Sequence, residues 1–309
     1  MLKHISFIVI AYNEEKTILN CLKSILNQED IIKFNYKIIV VNDGSKDKTG
    51  RIVENLKKNN PKIQLIDFKN NRGRGFARYE GVKKSVGDYI AFVDADITLP
   101  KNWLEKTMAY MENFDAVGGI AIPDGDSTYI CQKYNLTPKP LPHTNGITGS
   151  NSIYKRSVFK KIVLDPSLRG GEDTDIVLKM HQKGYKTKLL SDLIVSHHED
   201  INFNKSLRRM FSFGKGATNL LNVHKNIRIP DLSFFLFMFL VINAIYFSIN
   251  RNFYFIILLL IYPLFVSYLH LIKKFKLGKS QGFIYAGLFN YFMISSYFVG
   301  RLVGYFLKE

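Results

Sequence analysis

Strand-like and helix-like segments alternate over the first hundred residues of the chain. Positions 5–10 form a β-branched, apolar run, which is typical of a strand buried on both faces. A helical pattern with one apolar face follows at 17–27. The same alternation predicts further strands at 37–41, 64–67 and 89–93, and further helices at 49–59 and 74–85. This order predicts an α/β fold, in which a mostly parallel sheet is flanked by helices on both faces.

Beyond Asp96 the alternation becomes less regular. The pattern predicts a helix at 102–112, a strand at 116–122, a helix at 176–183 and strand-like runs at 186–191 and 193–195. Residues 123–147 hold four of the nine prolines and predict no element. We interpret them as an irregular segment that faces the substrate. Because parallel sheets bind ligands at the carboxyl ends of their strands, the polar residues after the first four strands are candidate site residues.

Three long apolar segments follow at the end of the chain, at 232–249, 253–272 and 283–307. Each has a length that suits a membrane span, which needs about 20 residues, and none has a polar face. Arg301 in the last segment would cost about 2.5–3.5 kcal/mol at mid-bilayer. We therefore expect that segment to span obliquely or to lie partly in the interface, which leaves two to three transmembrane helices.

The chain is predicted to have three parts: a catalytic domain at 1–200, a basic interfacial segment at 201–230 and a membrane domain at 231–309. The middle part has six Lys or Arg, no acid and interleaved aromatic residues, as in an amphipathic helix that lies on a membrane. RNA binding would fit the same composition, but the adjacent apolar segment favours lipid, so no nucleic-acid partner is expected.

The orientation follows from the positive-inside rule. The short turn at 250–252 predicts a helical hairpin, and the next loop carries Lys273, Lys274, Lys276 and Lys279. Such a loop is expected in the cytoplasm, and two crossings then place the first domain there too. We therefore expect a multi-pass protein of the cytoplasmic membrane, with its catalytic domain facing the cytoplasm.

The net charge of +17, from 43 Lys and Arg against 26 Asp and Glu, suggests an anionic partner but does not choose among nucleic acid, lipid headgroups and phosphorylated substrates. The two cysteines, Cys21 and Cys131, lack metal-ligand spacing. They are expected to be packing residues in a reducing compartment.

Two carboxylates, Asp94 and Asp96, directly follow the apolar fourth strand. At a ligand-binding sheet edge they could meet a metal-bound diphosphate together, since Mg²⁺ and Mn²⁺ prefer such hard oxygen ligands. Alone the pair is a weak signal, because Asp is also common in strand-end turns.

The chain resembles a family 2 glycosyltransferase of the GT-A fold. Five stretches carry the resemblance, in the family's order and spacing across about residues 5–215: IVIAYNEE from Ile8, VVNDGS from Val40, NRGRG from Asn71, DAD from Asp94 and GED from Gly171. A nucleotidyltransferase would instead need a Gly-rich loop after the first strand, where this chain has Tyr12-Asn13-Glu14-Glu15.

The resemblance implies roles in binding the donor, a nucleotide sugar with UDP slightly favoured over GDP. Tyr12 and Glu14 would line the nucleotide pocket, and Asp43 would accept the N–H of the base. Arg74 would approach the base or the diphosphate. Asp94 and Ala95 would also contact the donor.

The resemblance further implies a divalent cofactor, Mg²⁺ or Mn²⁺, with Asp96 as the more direct metal ligand and Asp94 beside it. His197 is a possible third ligand, although a lone histidine is as often a surface or core residue. The pair Glu172 and Asp173 is similar to the family's catalytic ED signature, in which the Asp is the general base of inverting members.

Three points qualify this resemblance. Asp175 competes with Asp173 for the role of base, and residues 172–175 could simply be an acidic first helical turn. Ile10 replaces the usual proline. The QxxRW box of processive members is replaced by Lys-Ser-Leu-Arg-Arg at 205–209, which argues against polymer synthesis.

The expected function is inverting, metal-dependent transfer of a sugar from a nucleotide-diphosphate sugar to a lipid-linked or cell-surface glycan at the cytoplasmic membrane face. The alternative within the same family is a polyprenyl-phosphate monosaccharide synthase. The alternative from another class is a non-catalytic membrane scaffold.

Overall fold

The computed structural model describes residues 2–123, 147–198, 203–225, 227–249, 254–274 and 281–306. These residues form two compact units, which we describe separately. The first unit contains 2–123 and 147–198, and the second contains the described residues from 203 onward.

The first unit is an α/β domain with an eight-stranded sheet. Its strands are β1 (His4–Ala11), β2 (Asn35–Asn42), β3 (Ile63–Asp67), β4 (Tyr89–Asp94), β5 (Ile97–Thr98), β6 (Ala116–Pro123), β7 (Asn151–Lys155) and β8 (Thr187–His197). Its helices are α1 (Ile18–Leu26), α2 (Thr49–Asn59), α3 (Arg74–Lys84), α4 (Trp103–Met108), α5 (Val158–Lys161) and α6 (Glu172–Gln182), with a short 3₁₀ turn at Ile31–Lys33.

The strand order is β3-β2-β1-β4-β7-β6-β8-β5. The first four strands in this order pair in parallel, as predicted, with Ile10 beside both Val41 and Asp94. These strands therefore end at the same edge, and the loops after β1, β2 and β4 emerge there together. The other half is mixed, since β7 is antiparallel to β4 and β6, whereas β8 is parallel to β6.

The sheet is buried on both faces. Along β1, Phe7 and Val9 pack into one core with α1, α2 and α4, whereas Ile8 and Ile10 pack into the other with α3, α5 and α6. Helices on both faces explain why the first strands read as continuous apolar runs. Cys21 lies fully buried in the first core, which agrees with its predicted packing role.

Several elements differ from the sequence prediction. Helix α4 is shorter than 102–112, because Tyr110 and Met111 donate to carbonyls three residues back and continue as turns. The two runs predicted at 186–191 and 193–195 form one strand, β8, opposite a register shift between Gly118 and Ile120. The pattern did not predict β5, β7 and α5.

The second unit consists of four helices, α7 (Phe203–His224), α8 (Ile229–Ile249), α9 (Tyr254–Lys274) and α10 (Gln281–Phe306). Among the described helices, α8 and α9 are long and apolar enough to cross a membrane, judged by length and composition. Their outward side chains are large and apolar, including Phe239, Ile242 and Leu258.

Arg301 of α10 forms a buried ion pair with Asp231 of α8. Both side chains are fully buried, and Arg301 Nη2 lies 2.7 Å from Asp231 Oδ1. Arg301 also donates to the Pro230 carbonyl, and Arg228 Nε approaches Asp231 Oδ2 at 3.0 Å. The charge of Arg301 is thus compensated inside the helix cluster, which the apolar pattern of 283–307 does not reveal.

Helix α7 packs against α10 with almost no space between their backbones. A Cβ at Gly214 would lie 2.1 Å from the Tyr297 carbonyl oxygen, and a Cβ at Gly300 would lie 2.1 Å from that of Phe211. Thr218 Oγ1 donates to the Arg301 carbonyl across this contact, at 3.1 Å. The helix predicted within 201–230 is therefore present as α7, and one of its faces packs against α10. Its position at a membrane interface stays a prediction.

Three predicted features lie outside the described residues: segment 124–146, the turn at 250–252 and the lysine-rich loop at 275–280. The predictions made for them, including the orientation across the membrane, stay predictions.

We predict that Arg301→Ala lowers the thermal stability of the full chain in detergent. The change leaves the buried Asp231 carboxylate with the partly exposed Arg228 as its remaining charged partner among the described residues, and breaking a buried pair costs about 3–5 kcal/mol. Arg208→Ala on α7, where the side chain is exposed, is the matched control and should melt like the wild type. Arg301→Met combined with Asp231→Leu should recover part of the loss, because both charges of the fully buried pair are removed and Arg228, which loses its partner, is partly exposed to solvent. Equal melting of Arg301→Ala and Arg208→Ala would contradict the role of the pair.

Candidate active site

The loops after β1 and β2 are joined into one surface by hydrogen bonds. The backbone N–H of Asn13 donates to Ser45 Oγ at 2.9 Å, and that of Glu14 donates to Thr49 Oγ1 at 2.8 Å. In return, the N–H of Lys46 donates to Asn13 Oδ1 at 2.8 Å. Tyr12, at the start of this surface, is 46% exposed and so is accessible to a ligand.

Asp43 is buried at the carboxyl end of β2 and holds the loop before α3. Its Oδ1 accepts the N–H of Arg72 and its Oδ2 accepts the N–H of Gly73, both at 2.8 Å. Arg74 then opens α3 with its guanidinium partly exposed, 3.7 Å from Glu172 Oε1. The structure thus gives Asp43 a positioning function, and its contact with a nucleotide base stays a prediction.

Asp96 and His197 meet at the edge of the sheet. His197 Nε2 lies 2.9 Å from Asp96 Oδ2, because β5 pairs with the end of β8. The other oxygen, Asp96 Oδ1, is buried and has no hydrogen-bond partner among the described residues. His198 points to Thr98 Oγ1 instead, at 2.7 Å. Ala95 is buried beneath, and its N–H donates to the Ile10 carbonyl.

Asp94 is paired with Arg78, a residue that the sequence analysis missed. Arg78 is only 1% exposed; its Nη2 lies 2.6 Å from Asp94 Oδ1, and its Nη1 donates to Glu172 Oε1. Burial alone would lower the pKa of Arg78, but Asp94 and Glu172 together raise it above its ordinary value. The available signal was its spacing of four residues from Arg74, which puts both cations on one side of α3.

The two acids that compete for the role of base lie in different environments. Asp173 is half-buried, and its carboxylate accepts the N–H of Thr174 at 2.7 Å and that of Gly149 at 3.3 Å. Asp175 is 1% exposed and lies 2.6 Å from Lys179 Nζ. Asp173 is therefore the more accessible carboxylate, whereas Asp175 is neutralised within the fold.

The pKa of Glu14 is affected by the carboxylates at the same edge of the sheet. Burial, as the largest cause, and the charges of Asp96 and Asp94 together raise the pKa of Glu14 to about 7, although a hydrogen bond from Thr17 Oγ1 opposes the rise. Negative charge is thus concentrated around Asp94 and Asp96, and this concentration favours a cation.

The residues fit a divalent metal that shares its ligands with the substrate. Within the described part of the chain, no group of three or more His, Cys, Asp or Glu side chains could hold a metal ion by itself. Mg²⁺ is commonly bound by one or two carboxylates, with substrate phosphates and water completing the shell. Asp96, with its unpartnered oxygen, and the adjacent His197 match this kind of site.

Comparisons with known proteins bear on the family and the fold of the chain. Residues 6–163, half of the chain, match the family described as "Glycosyl transferase family 2". The poly-beta-1,6-N-acetyl-D-glucosamine synthase of Staphylococcus aureus is 28% identical over 207 residues, which cover 60% of this chain and 48% of the synthase. This chain thus spans about half the length of that relative. Glycosyltransferase AglE of Haloferax volcanii is 26% identical over 226 residues, with 70% of this chain and 73% of AglE covered.

Solved structures show the same fold. The mannosyltransferase PcManGT from Pyrobaculum calidifontis, in complex with GDP-Man and Mn²⁺, matches with a TM-score of 0.58 and 18% identity, over 74% of this chain and 66% of that one. TarS of S. aureus matches with a TM-score of 0.50 and 20% identity, over 74% of this chain and 44% of TarS. At this identity the two matches support the fold alone.

We predict that Glu14 makes the metal-free protein less stable as the pH rises. Its pKa in the folded state is raised from 4.5 to about 7, so the folded protein binds this proton more tightly than the unfolded chain does. The contribution of this proton to folding stability is fully present below pH 4.5 and is lost as the pH rises through about 7.

Glu14→Gln, measured by thermal melting with a chelator present, should therefore gain stability relative to the wild type between pH 5 and pH 8. Glu54→Gln, at a surface pair with Lys57 on α2, is the control for changing a carboxylate into an amide. A difference between Glu14→Gln and the wild type that did not change with pH would contradict the prediction.

Proposed function

Because the chain belongs to glycosyl transferase family 2, we propose that it transfers a sugar from a nucleoside-diphosphate sugar to an acceptor hydroxyl, with inversion and with a divalent metal. The observation that carries the proposal is the pair Asp96 and His197 at the same sheet edge as Asp94, with Asp96 Oδ1 buried and without a hydrogen-bond partner in the part of the chain that the structure describes. The donor class is also supported by a solved structural neighbour in complex with GDP-Man and Mn²⁺.

Donor binding is assigned to the loops at the carboxyl ends of β1, β2 and β4. Tyr12 offers an exposed ring, Asp43 orders the loop at 72–73, and Arg74 places a partly exposed cation beside the acidic edge. Asp96 and His197 would hold the metal. Bound there, the cation acts as a Lewis acid that stabilises the charge developing on the leaving diphosphate.

Asp173 is assigned as the general base. An acceptor hydroxyl oxygen bonds to the anomeric carbon while the bond from that carbon to the diphosphate oxygen breaks, and the hydroxyl proton passes to Asp173. Two backbone N–H groups hold this carboxylate, from Gly149 and Thr174. It lies in the first turn of α6, where the helix dipole interacts favourably with negative charge. A single displacement of this kind inverts the anomeric configuration.

The acceptor is proposed to be a lipid-linked or cell-surface glycan at the cytoplasmic face of the membrane. The support is the pair of helices α8 and α9, which could cross a membrane, and the relatives that include a poly-beta-1,6-N-acetyl-D-glucosamine synthase. The replaced QxxRW box at 205–209 favours a single addition over polymer synthesis.

A polyprenyl-phosphate monosaccharide synthase is the second candidate. Its acceptor phosphate is already ionised, so it would not need Asp173 as a base. A non-catalytic scaffold would need neither Asp96 nor Asp173. The accessible Asp173 favours the hydroxyl acceptor over both alternatives.

We predict that Asp96→Ala removes the Mn²⁺-dependent part of UDP or GDP binding and lowers turnover to below about a tenth of the wild type, since metal catalysis contributes several kcal/mol. Binding is measured by calorimetry, and turnover by nucleoside diphosphate release from a panel of UDP- and GDP-sugars with membrane extract as acceptor source. Asp192→Asn, at an exposed acid of β8, should behave like the wild type. Metal-dependent turnover that survived in Asp96→Ala would remove Asp96 from the metal site.

We predict that Asp173→Asn spares donor binding and lowers turnover by about 10²–10⁴-fold, because the amide keeps the shape but not the basicity. Asp175→Asn is the matched control two residues away. It should weaken the ion pair with Lys179 and lower the melting temperature, yet keep turnover. The reverse pattern would assign the base to Asp175, and full activity in both variants would favour the phosphate acceptor.

A further inference from the structure

Arg78 joins two parts of the proposed site that come from distant regions of the chain. One terminal nitrogen, Nη2, contacts Asp94 at the end of β4, and the other, Nη1, contacts Glu172 at the start of α6. Asp94 adjoins the metal-binding pair, and Glu172 directly precedes the proposed base. Arg78 itself is 1% exposed, so it contacts these residues rather than a ligand from solvent.

The contact depends on the shape of the guanidinium group. An arginine presents several N–H donors in a rigid planar fork, whereas a lysine presents one compact ammonium group. Two carboxylates from different elements can therefore be held at a fixed separation by one arginine. Removing such a partner leaves uncompensated buried charge, so the link between Asp94 and Glu172 is energetically costly to break.

The turn at Gly149 extends this link to Asp173. A Cβ at Gly149 would lie 2.6 Å from Arg78 Cζ, so the turn lies directly on the guanidinium. The N–H of Gly149 donates to Asp173 Oδ2 at 3.3 Å, and the adjacent Ser150 carbonyl accepts the N–H of Asp94 at 3.3 Å. One turn thus contacts the arginine, the backbone of Asp94 and the proposed base.

We propose that Arg78 is a positioning residue that sets the separation between the metal-side carboxylates and the base Asp173, acting through Glu172, Asp94 and the Gly149 turn. This inference rests on the proposed function. In it Glu172, which is 4% exposed, contributes to catalysis by holding Arg78, and it does not contact the acceptor.

The first test is Arg78→Lys in the full-length protein, with Arg51→Lys on α2, where the side chain is exposed, as the matched control. Lysine keeps the charge but cannot hold both carboxylates. We expect kcat to fall by about 10²-fold, the cost of a small misplacement of reacting groups. The dissociation constants of UDP and GDP, each measured with Mn²⁺, should change by less than about fivefold, because the metal ligands remain.

The second test is the combination with Glu172→Gln. If both residues form one link, the double variant should have a kcat within about threefold of the more impaired single variant. Effects that multiplied would show that the two residues act independently and would overturn the inference. A purely structural role would lower the melting temperature without producing this kinetic coupling.

Gly149→Ala tests the same link if Arg78→Lys does not fold. The added methyl group must displace the guanidinium but leaves every charge and the Gly149 N–H in place. We expect the same split, with lower kcat and unchanged nucleotide binding.

Three further results would count against the inference. If the wild type is active, normal kcat in a folded Arg78→Lys variant and in Gly149→Ala would overturn this inference and leave the proposed function unaffected. A rise of the nucleotide dissociation constant equal to the loss of kcat would also overturn it, by limiting Arg78 to donor binding. A wild type that releases no nucleoside diphosphate from any donor would overturn the proposed function, and this inference with it.

Discussion

The first unit depends on one buried cation among several carboxylates. Asp94 and Glu172 both contact Arg78, while Asp96, and Glu14 where it ionises above about pH 7, add further negative charge at the same sheet edge. Without a counter-charge these acids would repel one another, and each would lose solvation on burial. Arg78 offsets that repulsion at Asp94 and Glu172. At Asp96 one buried oxygen has no partner among the described residues. A metal ion bound there would supply the remaining positive charge.

The two halves of the sheet bring different groups to this edge. The parallel half aligns the ends of β1, β2 and β4, so the loops that start at Tyr12, Asp43 and Ala95 share one side. The mixed half of the sheet brings later parts of the chain to the same edge. Strand β8 ends at His197 opposite Ile97, and the turn before β7 places Gly149 on Arg78. The proposed donor side is thus built mainly by the parallel strands, whereas the proposed base Asp173 and His197 come from the later segments.

How much the sequence predicts depends on whether a residue's partner is near in the chain. The first four strands are apolar because both faces are covered, so their pattern is local and was predicted correctly. Strand β7 begins with Asn151 and Ser152, which are fully buried, and Trp103 Nε1 donates to Asn151. The sequence pattern of such a strand is polar at its start, so the pattern does not predict a buried strand there. Arg78 and Arg301 each find their partners on other elements, so periodicity alone reads one as a surface cation and the other as a misplaced charge.

The contrast between Asp173 and Asp175 bears on the acceptor. Positions two apart on a helix face different directions, so Asp175 meets Lys179 one turn later while Asp173 turns toward Gly149. Asp173 receives neutral N–H groups and keeps its negative charge accessible. A phosphate acceptor would bring a second anion against that charge, which is unfavourable at short distance. A hydroxyl brings a proton that the carboxylate can accept, so this environment suits an alcohol nucleophile better than an ionised phosphate.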